Sequence, residues 1–379
     1  MNHTGEVSGA ERSLLTLLDA LRGDVDVHVA APPGPLDALL AERGLAATPI
    51  TGTAGSLKLH PRHTPRAVYE LGRAGEQVRR LARRLDADVV HANSIRAGIA
   101  CAAVGSTPVL THVRDCLPSG AATTATMRLI AARSRLLVAN SRYTAASVLA
   151  AAPNAAVEVA YNPVDVVRFD PARVDRTAQR ARFGAGPQEP FLLGVVAQLT
   201  PWKGQRTAIE ALAALHRRGI PARLLLAGSA KFTARATRFD NAAYEQQLRA
   251  CAASLGVGDD VVFLGEVQDV PGLVGALDAL ALPSTEEPFG RAVIEAMAMG
   301  VPVLATAVGG PAEIVREGVD GYLLDPGDPA AWADAAATLA REPQRRAALG
   351  AAGRASVLER FTPEHHAAAI MDMYSRVTA

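Results

Sequence analysis

Glu287 and Glu295 are separated by seven residues in the stretch Pro283 to Glu313, which reads PSTEEPFGRAVIEAMAMGVPVLATAVGGPAE. Ionised carboxylates accept hydrogen bonds, and the hydroxyls of a sugar or a ribose are natural donors to them. The stretch begins after an apolar run, Ala279 to Leu282, which has the character of a buried strand, and a Pro/Gly-marked loop then leads into an Ala-rich helical pattern. Glu287 falls in the loop and Glu295 in the helix, so both can face one pocket. Free N–H groups near Gly290 at the helix start suit an anion. Farther on, Gly309-Gly310 allows the backbone close to a ligand.

A second cationic feature is Lys203, in Gln198-Leu199-Thr200-Pro201-Trp202-Lys203-Gly204 after the apolar strand pattern Phe191 to Val196. Of the 39 Lys plus Arg residues only Lys58, Lys203 and Lys231 are lysine, and a lysine where arginine is the habit marks a compact point charge.

These stretches resemble the retaining glycosyltransferases of family 4, which have the GT-B fold and carry E-P-F-G...E-A-M-A-x-G-x-P-V...G-G...E at the donor site. The resemblance implies that Glu287 holds hydroxyls of the transferred sugar and Glu295 the ribose of the nucleotide. It adds the backbone of Phe289, Gly290 and Arg291 as further sugar contacts. The family's G-R-L-x-x-x-K-G clamps the donor diphosphate; here Lys203 and Gly204 are kept, whereas Gln198 replaces the arginine and Ala197 the glycine. Arg291 or Arg114 is then expected to supply the missing charge. In the first half, His112 stands where the family places a histidine against the sugar, in a loop after the strand 108–111. Lys203, Glu287 and His112 are thus the expected catalytic set. Gly5, Gly9, Gln198, Gly204, Phe289, Gly290, Arg291 and Glu295 are the expected donor contacts. The acceptor candidates are Lys58, His60 and Arg114.

To position such a site the chain needs two cores. Its 379 residues, 49% hydrophobic and 20% charged, are enough for two α/β domains. Strand patterns at 25–29, 47–50, 89–91, 108–111, 136–138 and 157–161 alternate with helical ones, which predicts a parallel sheet. The implied architecture is GT-B: two doubly wound, Rossmann-like domains facing across a cleft. Residues 1–168 form the acceptor side, 169–189 a linker, 190–360 the nucleotide-sugar domain, and 361–379 a helix returning to the first domain. Gly5 and Gly9 lie in the first strand-to-helix turn, so the chain begins where the family has just finished its first strand. We expect the loss of that strand to leave unpaired edges on both neighbours, and a start codon placed too late.

A net charge of +1 gives no sign of a nucleic-acid partner. Cys101, Cys116 and Cys251 show no paired spacing and are expected as free thiols in a reducing cytoplasm. No Asp/His cluster suggests a metal and no cofactor is implied; the nucleoside diphosphate sugar is a substrate. Residues 65–85 carry Arg79, Arg80, Arg83 and Arg84 on an amphipathic pattern, either a solvated outer face or a peripheral contact with anionic membrane. The expected acceptor is a lipid-linked or polysaccharide precursor, or a small natural product. Two other readings, a nucleotide-sugar epimerase and a catalytically silent sugar-nucleotide-binding subunit, share the same pocket.

Overall fold

The computed structural model describes residues 1–53, 64–187, 189–230 and 241–379. The chain divides into two compact units, Met1–Pro163 with Pro363–Ala379, and Val164–Thr362. Each is a Rossmann-like layer of parallel strands and helices.

In the first unit, β1 (Val29–Ala31) pairs in parallel with β2 (Ala47–Pro49), and β3 (Val90–Ala92), β4 (Val109–Val113), β5 (Leu136–Ala139) and β6 (Val157–Val159) pair in that order. Helices α1 (Gly9–Ala20), α2 (Pro35–Ala41), α3 (Thr64–Arg84), α4 (Ile95–Cys101), α5 (Ala121–Arg133) and α6 (Arg142–Ala151) alternate with them. β4 and β5 are buried along their whole length, as parallel strands covered on both faces must be. β1 lies later than the expected 25–29, because the residues buried on both sides are Val29, Ala30 and Ala31.

The expected unpaired edges between β1 and β3 are not found at their carboxyl ends. The Met1 amine donates to the His91 carbonyl at 2.7 Å, Asn93 N–H to the Met1 carbonyl at 3.0 Å, and Asn2 N–H to the Ala30 carbonyl at 2.8 Å. Two residues thereby bridge both neighbours and supply partners that buried backbone groups require. The cost falls on the amine, whose pKa is lowered by burial.

In the second unit the sheet order is β12-β11-β10-β7-β8-β9, all parallel, with β7 (Phe191–Val196), β8 (Ala222–Ala227), β9 (Val261–Gly265), β10 (Ala279–Leu282), β11 (Val303–Thr306) and β12 (Tyr322–Leu324). Its helices are α7 (Arg176–Arg182), α8 (Gln205–Arg217), α9 (Asn241–Ser254), α10 (Val270–Ala276), α11 (Arg291–Ala298), α12 (Pro311–Ile314), α13 (Pro329–Arg341) and α14 (Pro343–Arg360). The core packs Leu193, Leu212, Leu224, Leu226 and Trp332 between sheet and helices.

The segment 169–189, expected as a linker, belongs to this unit. Arg176 and Arg180 on α7 each reach the buried carboxylate of Asp278 at 2.7 Å, and Leu192 N–H donates to the same carboxylate at 2.9 Å. A buried charge is tolerated only when paired and hydrogen-bonded, so Asp278 ties α7 to the sheet. The final helix, α15 (Pro363–Thr378), counts with the first unit, where Ile370, Met373 and Val377 pack on Leu17, Leu110 and Val138.

Candidate functional site

In the second unit the strand order reverses between β7 and β10, which are hydrogen-bonded neighbours. Ligands of doubly wound sheets bind beyond the carboxyl ends of strands at such a point. Lys203 follows β7 and Glu287 follows β10, so the fold brings their loops together there. The Lys203 ammonium lies 2.6 Å from Glu287 Oε2, and Ser284 donates its hydroxyl to the same oxygen at 3.1 Å. Lys203 also stands over the Trp202 ring, 4.0 Å from its centroid, a cation–π contact. The Trp202 carbonyl accepts from Thr285 N–H at 2.8 Å, which locks the two loops to each other.

Glycines permit this approach. Gly204 has φ of +70°, and a Cβ built on it would stand 1.9 Å from the Pro283 carbonyl oxygen. Gly309, at φ +83°, would place a Cβ 2.1 Å from the Glu287 carbonyl oxygen, and Gly310 N–H donates to that oxygen at 2.9 Å. Gly290 caps α11 in the left-handed region. The Phe289 side chain points inward and meets Phe361 edge to face at 6.2 Å, which leaves only its backbone for a ligand.

Arg291 donates to Glu295 at 2.8 Å, one helical turn on, with both side chains largely covered. Gln198 is half-buried, and its carbonyl accepts from Gln205 at 2.7 Å. Gln205, fully buried at the start of α8, drew no attention in the sequence because glutamine there reads as surface; neither Ser284 nor Trp202 carries a signal of its own. In sum, the structure brings Lys203 and Glu287 together, with Gly204 packed against the Pro283 backbone beside them.

The first unit places its expected residues differently. His112 is inside β4 rather than in the following loop, with no exposed surface. Strand alternation turns it toward α15, where its ring lies 6.0 Å from His366 and stacks on His91 at 5.6 Å. The side chain is enclosed, and burial, then Arg114, holds its pKa well below the usual histidine value. Arg114, two residues on, sits at the carboxyl end of β4. It is the hub of a buried polar belt, donating to Asn162 Oδ1 at 2.5 Å, Asn93 Oδ1 at 3.0 Å and His112 Nδ1 at 3.1 Å. Asn93 in turn donates to Asn2 at 3.1 Å, and Asn140 to the Arg114 carbonyl at 3.1 Å. The belt crosses the carboxyl ends of β3, β4, β5 and β6 and so employs Arg114 structurally.

Gly5 packs against backbone, a Cβ there falling 2.6 Å from the carbonyl oxygens of Pro32 and Pro33; Gly9 is the first residue of α1, exposed. Lys58 and His60 lie outside the described residues. On α3, Glu76 pairs with Arg79 at 2.5 Å and Arg80 at 2.8 Å, whereas Arg83 and Arg84 are exposed. Among the described residues no helix is long and apolar enough to cross a membrane.

Comparison with known proteins gives both halves a match. The model for glycosyl transferases group 1 covers residues 175–356, and that for glycosyltransferase family 4 covers residues 7–168. The chain is 33% identical over 263 residues to a D-inositol 3-phosphate glycosyltransferase of Salinispora arenicola, covering 66% of this chain and 56% of that protein. It is 33% identical over 217 residues to the lipopolysaccharide core biosynthesis mannosyltransferase LpsB of Rhizobium meliloti, covering 56% of this chain and 58% of the relative. The match thus spans just over half the length of these curated relatives. Among solved structures, Anabaena HepE in complex with UDP-glucose superimposes with a TM-score of 0.83 at 26% identity, over 99% of this chain and 100% of that one.

Proposed function

The chain belongs to the family-4 glycosyltransferases, and we propose that it moves a sugar from a uridine diphosphate sugar to an acceptor hydroxyl, retaining the anomeric configuration. The observation that carries this reading is the pair of Lys203 and Glu287 at the strand-order reversal of the second unit, framed by Gly204, Gly290 and Gly309. The likeness to HepE, solved with UDP-glucose, supports the choice of uridine diphosphate.

In this reading the bond from the anomeric carbon to the diphosphate oxygen breaks, the acceptor oxygen bonds to that carbon on the same face, and the acceptor proton passes to the departing diphosphate. Lys203 meets the negative charge that grows on the leaving group, and with its side chain only 13% exposed a fixed cation there counts for more. Glu287 holds sugar hydroxyls, and Glu295 the ribose hydroxyls once Arg291 turns toward the phosphates. Arg291 thus stands in for the arginine absent at position 198. No metal is required for a charge that Lys203, Arg291 and backbone N–H groups share.

The first unit takes the acceptor, a phosphorylated or lipid-linked molecule. Peripheral contact with an anionic membrane is part of this reading. Val68 and Tyr69 on α3 are 62% and 63% exposed, and Arg66, Arg73, Arg83 and Arg84 are on the same helix. The experiment is incubation of the protein with UDP-sugars, scoring UDP release and the configuration of the freed or transferred sugar. An epimerase would return an isomerised donor, and a silent binder would release nothing.

A further inference from the structure

At the carboxyl edge of the first unit's sheet, three segments end side by side: Met1-Asn2 before His3, β3 before Ser94 and Arg96, and β4 before Arg114 and Asp115. Arg114 is consumed by the asparagine belt. Arg96 is not: partly buried, it makes no hydrogen bond or ion pair with any described residue. Two ionisable neighbours face it. One is exposed Asp115, whose charge it feels from beyond ion-pair distance, and the other is His3. A guanidinium taken partly out of water without a partner is costly, and the fold retains it beside an open edge.

His3 adds a directed donor. Ser94 Oγ accepts from Ala97 N–H at 3.1 Å, which leaves its hydroxyl hydrogen for His3 Nδ1 at 2.9 Å. A neutral imidazole that accepts at Nδ1 carries its proton on Nε2, an assignment made from this network. Burial first, and Arg96 next, lower the His3 pKa to about 4, so the ring is neutral at pH 7 and donates without adding charge.

We propose that Arg96 and His3 form an anion-binding subsite that receives the phosphate of a phosphorylated acceptor. A phosphate monoester offers three oxygens, two for the guanidinium fork and one for the imidazole N–H. The inference rests on the reading that the first unit takes the acceptor, and it names the chemical class that unit selects. It shifts the anion contact from Arg114, whose Nη1 and Nη2 are engaged by Asn162, Asn93 and His112, to a side chain four residues past β3.

The test is calorimetric titration of the full chain with sn-glycerol 3-phosphate, glycerol and dioctanoyl phosphatidic acid. Wild type is expected to bind the phosphorylated probes and not glycerol; the tighter of the two identifies a free or a lipid-borne phosphate. Arg96→Gln should weaken that binding ~10-fold or more, the loss of a charge-assisted bond, whereas Arg96→Lys keeps part of it. Arg128→Gln, on an exposed face of α5, should bind as wild type does. A histidine resonance that moves on adding glycerol 3-phosphate and is missing in His3→Gln gives a second readout. Equal binding by wild type and Arg96→Gln, with melting temperatures matched, overturns the subsite. UDP release from UDP-glucose by the same wild-type preparation tests the transferase reading separately, so either can fail alone.

Discussion

The Lys203 ammonium lies 2.6 Å from the Glu287 carboxylate although 84 residues separate them in the chain. Their side chains are only 13% and 8% exposed, so each is the other's main compensation for lost water.

Lys203→Ala should therefore do two things. Turnover falls by ~100-fold or more, because the leaving diphosphate loses its fixed cation. Stability falls by ~1–3 kcal/mol, because Glu287 keeps only the Ser284 hydroxyl. Adding Glu287→Gln removes the stranded charge, so the double mutant regains melting temperature without regaining activity. UDP release and thermal melts read the two effects. Activity within threefold of wild type would take Lys203 out of the mechanism.

Gly309→Ala is expected to reduce activity by at least ~10-fold, since an added methyl meets the carbonyl oxygen of Glu287 at 2.1 Å and must push the loop that carries Glu287. Gly318→Ala shares the left-handed backbone, φ +70°, but meets nothing within 4 Å. It should cost only ~1 kcal/mol of stability and leave turnover alone. Kinetics and melts on the two variants separate strain from displacement.

Acid should destabilise the first unit. Burial holds the pKa of His91 and His112 well below the ordinary histidine value, and that of His366 at about 3. A base whose folded pKa is depressed binds fewer protons folded than unfolded, so stability rises with pH through the interval between the two values. It is complete above ~6.5, the unfolded value, and declines as pH falls toward 3, by up to ~1.4 kcal/mol per pH unit for each histidine. Melting temperature measured from pH 7.5 to 4.5 should fall steadily, and His366→Leu should flatten the slope by about one histidine's share. A flat profile in wild type would contradict it.

Sedimentation with anionic liposomes tests the membrane contact on α3. Wild type should pellet at low salt and less at physiological salt, as a surface attraction screened by ions must. Tyr69→Ser together with Arg83→Gln and Arg84→Gln should abolish pelleting. Arg79 and Arg80 should matter less, since Glu76 already holds them.

Much of the second unit was legible in the sequence. Its strands are continuous apolar runs, as at Ala279–Leu282 and Phe191–Val196, and its glycines fall where only they fit, at 204, 290 and 309. The glutamates and Lys203 were likewise visible as a spaced pattern. Spacing conveys which residue types are present and on which loop, because both are local properties of the chain.

Which partners they meet is not local. That Lys203 binds Glu287 follows from β7 lying beside β10, a neighbour relation fixed by long-range packing. That Arg180 holds Asp278, which makes the supposed linker part of the second unit, follows from the same sheet order. His112 lies in a strand rather than the expected loop for the smallest of reasons: β4 runs to Val113, two residues beyond the expected Thr111, and a strand residue is buried or exposed according to what covers its face. The cover is α15, whose His366 stands 254 residues after His112 in the chain, and only the folded molecule sets that helix against the sheet. The sequence by itself determined the two α/β cores and the motif; tertiary structure decided which charges are paired, which are enclosed, and that Arg96 has no hydrogen bond or ion pair among the described residues. Burial and pairing depend on contacts between segments far apart, and no window of sequence contains both partners.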